Sequence, residues 1–162
     1  MRFKARHRWM EEALTQMLIS NREAARCFIQ YKATACTDIT GFGLAGHLFE
    51  MLAPNNVELE LSLADLPVID GALETLKQGI LSSLHADNSL VSRDIFNSEA
   101  FQDDPRFDLL FDPQTAGGLL ASVAESRAED CIKQLRESGY TQAKAIGRVA
   151  KTGAPLPALI LK

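Results

Sequence analysis

Apolar positions along the chain follow the helical period in some segments and the strand period in others. The first helix is predicted from five apolar residues with the spacing of one helical face, Met10, Ala13, Leu14, Met17 and Leu18. A second helix is predicted to begin soon after it, near Ser20. Strict alternation of apolar and polar residues from Val57 to Ala64 predicts a strand with one solvated face.

The remaining patterns complete one mixed domain. Helices are predicted at 44–52, 69–80 and around 128–135, and strands at 33–39, 119–123, 143–149 and 157–161. Residues 82–106 have weak periodicity and many polar groups, which predicts a long loop with at most one short helix, and such loops are often functional. Together these elements predict a single α+β domain over residues 1–162, with a mixed or antiparallel sheet covered by helices.

Composition narrows the class of protein. Of the 162 residues, 46% are hydrophobic and 23% are charged, which is typical of a globular chain. A formal net charge of -4 excludes a domain-wide field that attracts nucleic acid or anionic lipid, and no apolar run has the length of a membrane span. Neither nucleic acid nor a membrane is therefore expected as a partner.

The cysteines carry no recognisable metal or redox spacing. Cys27, Cys36 and Cys131 are odd in number and no two are arranged as C-x-x-C. All three are expected to be buried as small apolar residues, with Cys36 in a buried strand. The absence of a disulfide framework fits the cytoplasm.

The first segment that could carry chemistry, Thr37 to Leu44, runs from a predicted strand into a predicted helix. Asp38 lies at the carboxyl end of that strand, where open α/β architectures bind ligands. Gly41 and Gly43 let the main chain approach a ligand and leave helix N–H groups free for an anion. One carboxylate beside such a turn suits Mg²⁺, which keeps most of its waters and adds phosphate oxygens. An Asp that caps its own turn, with glycines required only by backbone angles, explains the same residues.

Two further groups of residues have simpler explanations. Asp112 to Gly118 is most simply a structural turn, because Asp-Pro opens turns and paired glycines tolerate unusual backbone angles. His47 and Glu50 are three residues apart on a predicted helix and could share one face. A hydrogen-bonded or surface pair is favoured over a metal pair, since no third ligand stands at a familiar spacing.

Two segments resemble a known family. Residues 35–48, ACTDITGFGLAGHL, resemble the second domain of the selenophosphate synthetase (selenide, water dikinase) family, and residues 111–120, FDPQTAGGLL, resemble a family segment at the right distance downstream. Two separated motifs in the right order are more specific than either alone. Phe42 within TGFG points to this family rather than to aminoimidazole ribonucleotide synthetase or other relatives, whose glycine turns are similar. The resemblance implies the fold of the C-terminal domain of aminoimidazole ribonucleotide synthetase-related proteins.

The resemblance also implies a reaction and a site. The family converts selenide, ATP and water into selenophosphate, AMP and phosphate, with the ATP phosphates and several Mg²⁺ ions held between two domains. Asp38 matches the family's metal-binding aspartate of the second domain. The residues that the resemblance places near the phosphates are Thr40, Gly41 and Gly43. The family assigns no firm role to the turn from Asp112 to Gly118, whose Thr115, Gly117 and Gly118 are candidates only for lining the cleft.

Much of the family's machinery lies in an amino-terminal domain that nothing before Met10 resembles. That domain holds the nucleophilic Cys or selenocysteine, its Lys and further metal-binding Asp residues. The chain is therefore expected to be the C-terminal half of a two-domain synthetase, with the N-terminal domain of the same parent as partner, and inactive by itself. The parent is expected to be a cytoplasmic homodimer. A stand-alone binding or regulatory module of the same fold, or a domain of a related ATP-dependent synthetase or kinase, remains an alternative.

Overall fold

The predicted helical faces form helices close to the positions that their apolar spacing indicates. The computed structural model describes residues 5–151 and 158–162. The α-helices are α1 (His7–Met17), α2 (Arg22–Gln30), α3 (Gly43–Leu52), α4 (Ala72–Lys77), α5 (His85–Asn88) and α6 (Glu125–Glu137). The strands are β1 (Ala35–Asp38), β2 (Val57–Leu61), β3 (Leu119–Ser122), β4 (Gly147–Lys151) and β5 (Ala158–Leu161). Within these described residues, four 3₁₀ helices lie at Leu63–Asp65, Ser89–Asp94, Ser98–Phe101 and Asp108–Phe111.

In the part of the chain that the structure describes, the strands form two small sheets. Strands β1 and β3 pair antiparallel, with Ala35 opposite Ser122 and Asp38 opposite Leu119. In the second sheet β2 is central, antiparallel to β4 and parallel to β5. The α+β class with mixed and antiparallel pairing is confirmed.

The larger hydrophobic core lies under β2 and β5. Leu59 and Leu61 of β2 are buried, and their register partners Leu159 and Leu161 of β5 are buried beside them. Helix α3 contributes three buried residues at helical spacing, Ala45, Leu48 and Leu52. Phe107, Leu110 and Phe111 close the same core next to the second candidate segment.

A second, smaller core joins α2 to α6. Ala24 and Cys27 of α2 pack against Cys131 and Leu135 of α6. Tyr140 links the start of α2 to this layer, because its hydroxyl donates to the Ser20 carbonyl at 2.7 Å and accepts from the Ala24 N–H at 3.0 Å. This layer fixes the entry of the chain into β1.

Several predicted boundaries are wrong for identifiable reasons. The expected single sheet is two sheets, and α3, which contacts both β1 and β2, lies between them in the chain. Strand β2 ends at Leu61 and the chain continues as a 3₁₀ helix in which Leu63 is still buried, so alternation of burial outlasts the strand. The predicted helix 69–80 is the shorter α4, and β4 begins at Gly147 rather than near residue 143. Pro157, the predicted start of the last strand, lies outside the described residues.

The segment 82–106 is not an irregular loop. It contains α5 and two 3₁₀ helices, which buried His85 and Ile95 anchor to the body of the molecule. Across residues 5–151 and 158–162, no helix combines the length and the apolar character needed to cross a membrane.

Candidate functional site

Asp38 stands exposed at the last position of β1. Side chains alternate along this strand, so Ala35 and Thr37 are half-buried while Cys36 and Asp38 are exposed. Within the part of the chain that the structure describes, no lysine, arginine or histidine forms an ion pair with the Asp38 carboxylate. The carboxylate is therefore open to solvent and to a ligand.

The glycines around Asp38 differ in what they face. A Cβ added at Gly41 or Gly118 would meet no atom within 4 Å, so the main chain is open at both positions. Gly43 is buried at φ +69°, and a Cβ there would lie 2.9 Å from the Leu110 carbonyl oxygen. Gly43 is thus explained by its left-handed backbone and its packing, whereas Gly41 and Gly118 border an open surface.

The two candidate segments meet in space although they are about seventy residues apart in the chain. The Gln114 N–H donates to the Thr40 carbonyl at 3.0 Å, and the Ile39 N–H donates to the Gly118 carbonyl at 3.0 Å. Gly117 packs so tightly that an added Cβ would overlap the Ile39 carbonyl oxygen and lie 3.0 Å from its carbon. The turn at Asp112–Gly118 is therefore part of the same corner as Asp38.

Within that turn, the predicted cleft residues have different exposures. Thr115 and Gly118 are exposed and Gly117 is half-buried. Of these three residues, Gly117 alone accepts a hydrogen bond from a side chain within the described part of the chain, where Asn21 Nδ2 donates to its carbonyl at 3.0 Å. Thr115 and Gly118 therefore provide the accessible part of this side of the corner.

Asn88 is a site residue that sequence patterns did not reveal. It ends α5, inside the segment 82–106, and its Nδ2 donates to the Gly41 carbonyl at 2.9 Å and to the Phe111 carbonyl at 3.0 Å. One amide thus ties the turn after β1 to the start of the second segment. An isolated Asn in a polar stretch gives no such signal.

His47 and Glu50 form the hydrogen-bonded pair that their spacing favoured. His47 Nδ1 lies 3.0 Å from Glu50 Oε2, and the other ring nitrogen, Nε2, accepts from the Thr40 N–H at 3.1 Å. His47 is buried while Glu50 is exposed. Over residues 5–151 and 158–162, no three His, Cys, Asp or Glu side chains are grouped so that they could hold a metal ion.

A shallow groove of about 260 Å³ lies beside this pair. It is lined by Phe42, Gly46, Glu50, Asp87, Asn88 and Val91. The Phe42 ring is 59% exposed and its centroid is 5.6 Å from that of the His47 ring. Phe42 therefore forms an exposed aromatic wall next to the open Gly41.

Asp112 carries the perturbed carboxyl of the second segment. Burial raises the pKa of Asp112, while a hydrogen bond from Gln114 at 2.9 Å and the nearby His85 lower it. His85 is itself buried, with Nε2 3.3 Å from Asp108 Oδ1. The raised pKa makes the charged form of Asp112 a local source of instability.

The structure contradicts the expectation that all three cysteines are buried. Cys27 and Cys131 are buried with their sulfurs 3.9 Å apart, and burial raises the pKa of Cys131 to about 12. Cys36 is exposed rather than buried, because it shares the outer face of β1 with Asp38. Partial burial and the Asp38 carboxylate raise the pKa of Cys36.

Comparison with known proteins identifies the family. The model of the family described as AIR synthase related protein, C-terminal domain, matches residues 5–155. The chain belongs to this family. Both candidate segments lie within the matched range of this AIR synthase related C-terminal domain.

Curated relatives of the domain share a name. The chain is 37% identical over 147 residues to selenide, water dikinase of Clostridioides difficile (strain 630), covering 88% of this chain and 41% of the relative. It is 37% identical over 153 residues to the selenide, water dikinase of Pelobacter propionicus, covering 94% and 43%. The protein of the same name from Caldanaerobacter subterraneus subsp. tengcongensis is 36% identical over 137 residues, covering 85% and 40%. The chain therefore spans about two-fifths of the length of these relatives.

Proposed function

We propose that this chain is the C-terminal domain of a selenophosphate synthetase, which makes selenophosphate, AMP and phosphate from selenide, ATP and water. In this proposal Asp38 is a Mg²⁺ ligand at a cleft completed by the preceding domain of the parent chain. The observation that carries it is the exposed Asp38 carboxylate beside Gly41 and Gly118, at a corner that both family-like segments build. The relatives named selenide, water dikinase support the choice of substrate.

The donors present fit one side of a shared Mg²⁺ site. A carboxylate oxygen is a hard ligand of the type that Mg²⁺ takes, and such sites use only one or two carboxylates together with waters and phosphate oxygens. When bound, Mg²⁺ neutralises charge on the phosphate oxygens. Asp38 would hold the ion from this domain, and the open main chain at Gly41 and Gly118 leaves room for a phosphate group beside it.

In this proposal Thr40 and Gly43 shape the turn next to the site and do not bind the ligand themselves. The Thr40 hydroxyl lies 3.2 Å from His47 Nε2, so it is already engaged with α3, and Gly43 is buried. Both residues therefore shape the turn, while Thr115 and Gly118 are the residues of the second segment left exposed for a ligand.

The rest of the parent completes the proposal. The remaining metal ligands and the nucleophile come from the N-terminal domain, and the parent is a homodimer. The three free thiols agree with a reducing compartment such as the cytoplasm. Because this proposal takes the other side of the cleft from the N-terminal domain, the 162-residue chain by itself is expected to release no AMP from ATP in the presence of selenide.

The test uses the full-length parent. Selenide-dependent conversion of ATP to AMP is expected, and Asp38→Asn is expected to reduce it by more than the roughly 10- to 100-fold typical of losing an outer-shell partner of a metal. Glu99→Gln, at an exposed carboxylate on the 3₁₀ helix Ser98–Phe101, is the matched control and is expected to retain activity. Full turnover by Asp38→Asn would refute the metal role.

Two other outcomes separate the alternatives. A parent that consumes the aminoimidazole ribonucleotide precursor and ignores selenide would be a related ATP-dependent synthetase. AMP release by the purified 162-residue chain, above that of its own Asp38→Asn variant, would contradict a cleft shared between domains.

A further inference from the structure

His47 of α3 has a hydrogen-bond partner at each ring nitrogen, and one of these partners, Thr40, lies in the turn that follows Asp38. The ring is buried, and the Thr40 main-chain N–H donates to Nε2 at 3.1 Å. A nitrogen that accepts a hydrogen bond carries no proton, so the proton of the neutral ring is on Nδ1. There it donates to Glu50 Oε2 at 3.0 Å, so Glu50 favours the same tautomer that the Thr40 N–H requires.

Thr40 is held from three directions. Its N–H donates to His47, and its carbonyl accepts from the N–H groups of Gly43 at 3.2 Å and Gln114 at 3.0 Å. Both polar main-chain groups of Thr40 are thus fixed two residues after Asp38. The backbone between the carboxylate and the open Gly41 has little freedom while the His47 contact lasts.

We propose that His47, in the tautomer favoured by the Thr40 N–H and by Glu50, is a positioning residue that fixes the main chain between the Asp38 carboxylate and the opening at Gly41. The proposal rests on the proposed function of Asp38 as a metal ligand. A metal ligand must be held within about 0.5 Å of its working position. In the described part of the chain the Thr37 hydroxyl donates to the Asp38 main-chain carbonyl at 3.3 Å, and the Asp38 carboxylate itself receives no hydrogen bond. The hydrogen bonds of the Thr40 main chain therefore fix where the main chain next to Asp38 lies, and so limit the positions that its carboxylate can reach.

A purely structural His47–Glu50 pair would make different predictions. His47→Leu keeps much of the buried volume but leaves the Thr40 N–H without an acceptor. His47→Gln offers an amide oxygen near the position of Nε2 and restores that acceptor. If His47 has a positioning role, His47→Leu and His47→Gln will differ in metal affinity. If its role is only structural, the two variants will differ only in stability.

The first measurement concerns the ring itself. In ¹⁵N-labelled 162-residue chain, NMR is expected to show the His47 ring with its proton on Nδ1, and Glu50→Ala is expected to shift part of the population to the Nε2–H tautomer. A wild-type ring protonated on Nε2 would overturn the proposal without any reference to catalysis.

The second measurement uses Mn²⁺ alone on the full-length parent, because the proposed function takes the remaining metal ligands from its N-terminal domain. The paramagnetism of Mn²⁺ broadens nearby amide signals. Asp38-dependent broadening around residues 38–43 is expected in the wild type, with an apparent Kd about 10- to 100-fold higher in His47→Leu and within about twofold of wild type in His47→Gln. Equal broadening in folded His47→Leu would overturn the positioning role alone. Wild-type broadening that Asp38→Asn does not reduce would overturn the proposed function instead. If His47→Leu does not fold, Glu50→Ala replaces it, and an unchanged Kd in that variant overturns the proposal.

Discussion

Gly117 provides the sharpest test that the two segments meet as described. A methyl group at this position would overlap the carbonyl oxygen of Ile39 and lie 3.0 Å from its carbon and 3.2 Å from Gln114 Cβ. The obstacle is main chain and not the end of a flexible side chain, so no rotamer change relieves it. The Gly117→Ala variant must push the turn away from β1.

The expected loss follows from overpacking. Extra methylene-sized groups in packed regions cost about 1–3 kcal/mol, and a main-chain obstacle places Gly117→Ala at the upper end. For a chain of this size, about 3 kcal/mol corresponds to a Tm lower by about 6 to 12 °C. Urea denaturation followed by circular dichroism measures the loss, with an unchanged slope showing that the variant still unfolds as one unit.

Gly118 is the matched control in the same turn. A Cβ there meets no atom within 4 Å, so Gly118→Ala is expected to be neutral or to gain up to about 1 kcal/mol from a less flexible unfolded chain. The two variants should therefore differ by about 3 kcal/mol or more. Equal stability of Gly117→Ala and Gly118→Ala would show that the second segment does not lie against Ile39.

Three further variants probe the same corner. Asn88→Ala removes two hydrogen bonds to main-chain oxygens and is expected to lower the free energy of unfolding by about 1–3 kcal/mol. The control, Asn55→Ala at an exposed position, is expected to lower it by less than about 0.5 kcal/mol. Equal losses in urea denaturation would contradict the role of Asn88 in joining Gly41 to Phe111. Asp38→Asn removes a charge that raises the pKa of Cys36, so a larger thiolate fraction of Cys36 is expected at about pH 8. Iodoacetamide should then react faster with Cys36, and an unchanged rate would show that the Asp38 charge does not act on this thiol. Burial raises the pKa of Asp112, so its charge opposes folding above that pKa; Asp112→Asn should be more stable than wild type near pH 7, and this gain should vanish near pH 3, where wild-type Asp112 is protonated in both states. A gain that persists in acid would contradict burial of the charge.

Local periodicity predicted the parts of the fold that depend on one face of one element. The apolar stripe of α3 and the alternation in β2 each encode which side is buried, and both elements form within a few residues of their predicted bounds. The exposure of side chains on the short strand β1 was not predicted from the sequence. Its composition of small residues suits a buried strand, but pairing with β3 alone leaves Cys36 and Asp38 exposed.

Long-range hydrogen bonds could not be predicted in this way. Asn88, which joins Gly41 to Phe111, is a single polar residue whose partners lie 47 and 23 positions away. The same holds for the Thr40 carbonyl, which accepts from Gln114. Such bonds depend on tertiary packing, which leaves no periodic trace in the sequence. The position of Asp38 at a strand end was predictable because strand ends are local features.

The Asp38 carboxylate alone is not sufficient to bind a nucleotide tightly. ATP brings about four negative charges, the chain has a net charge of -4, and among residues 5–151 and 158–162 no basic side chain pairs with Asp38. A Mg²⁺ ion held by Asp38 would offset part of this repulsion, but the entropy lost on binding must still be recovered from contacts that one side of a cleft does not supply. The 162-residue chain is therefore expected to bind Mg-ATP with a Kd of about a millimolar or weaker, measured by chemical-shift titration. Small shifts confined to residues 38–43 and 115–118 would agree with a shared cleft. Micromolar binding that survives Asp38→Asn would show that this domain holds the nucleotide elsewhere and by itself.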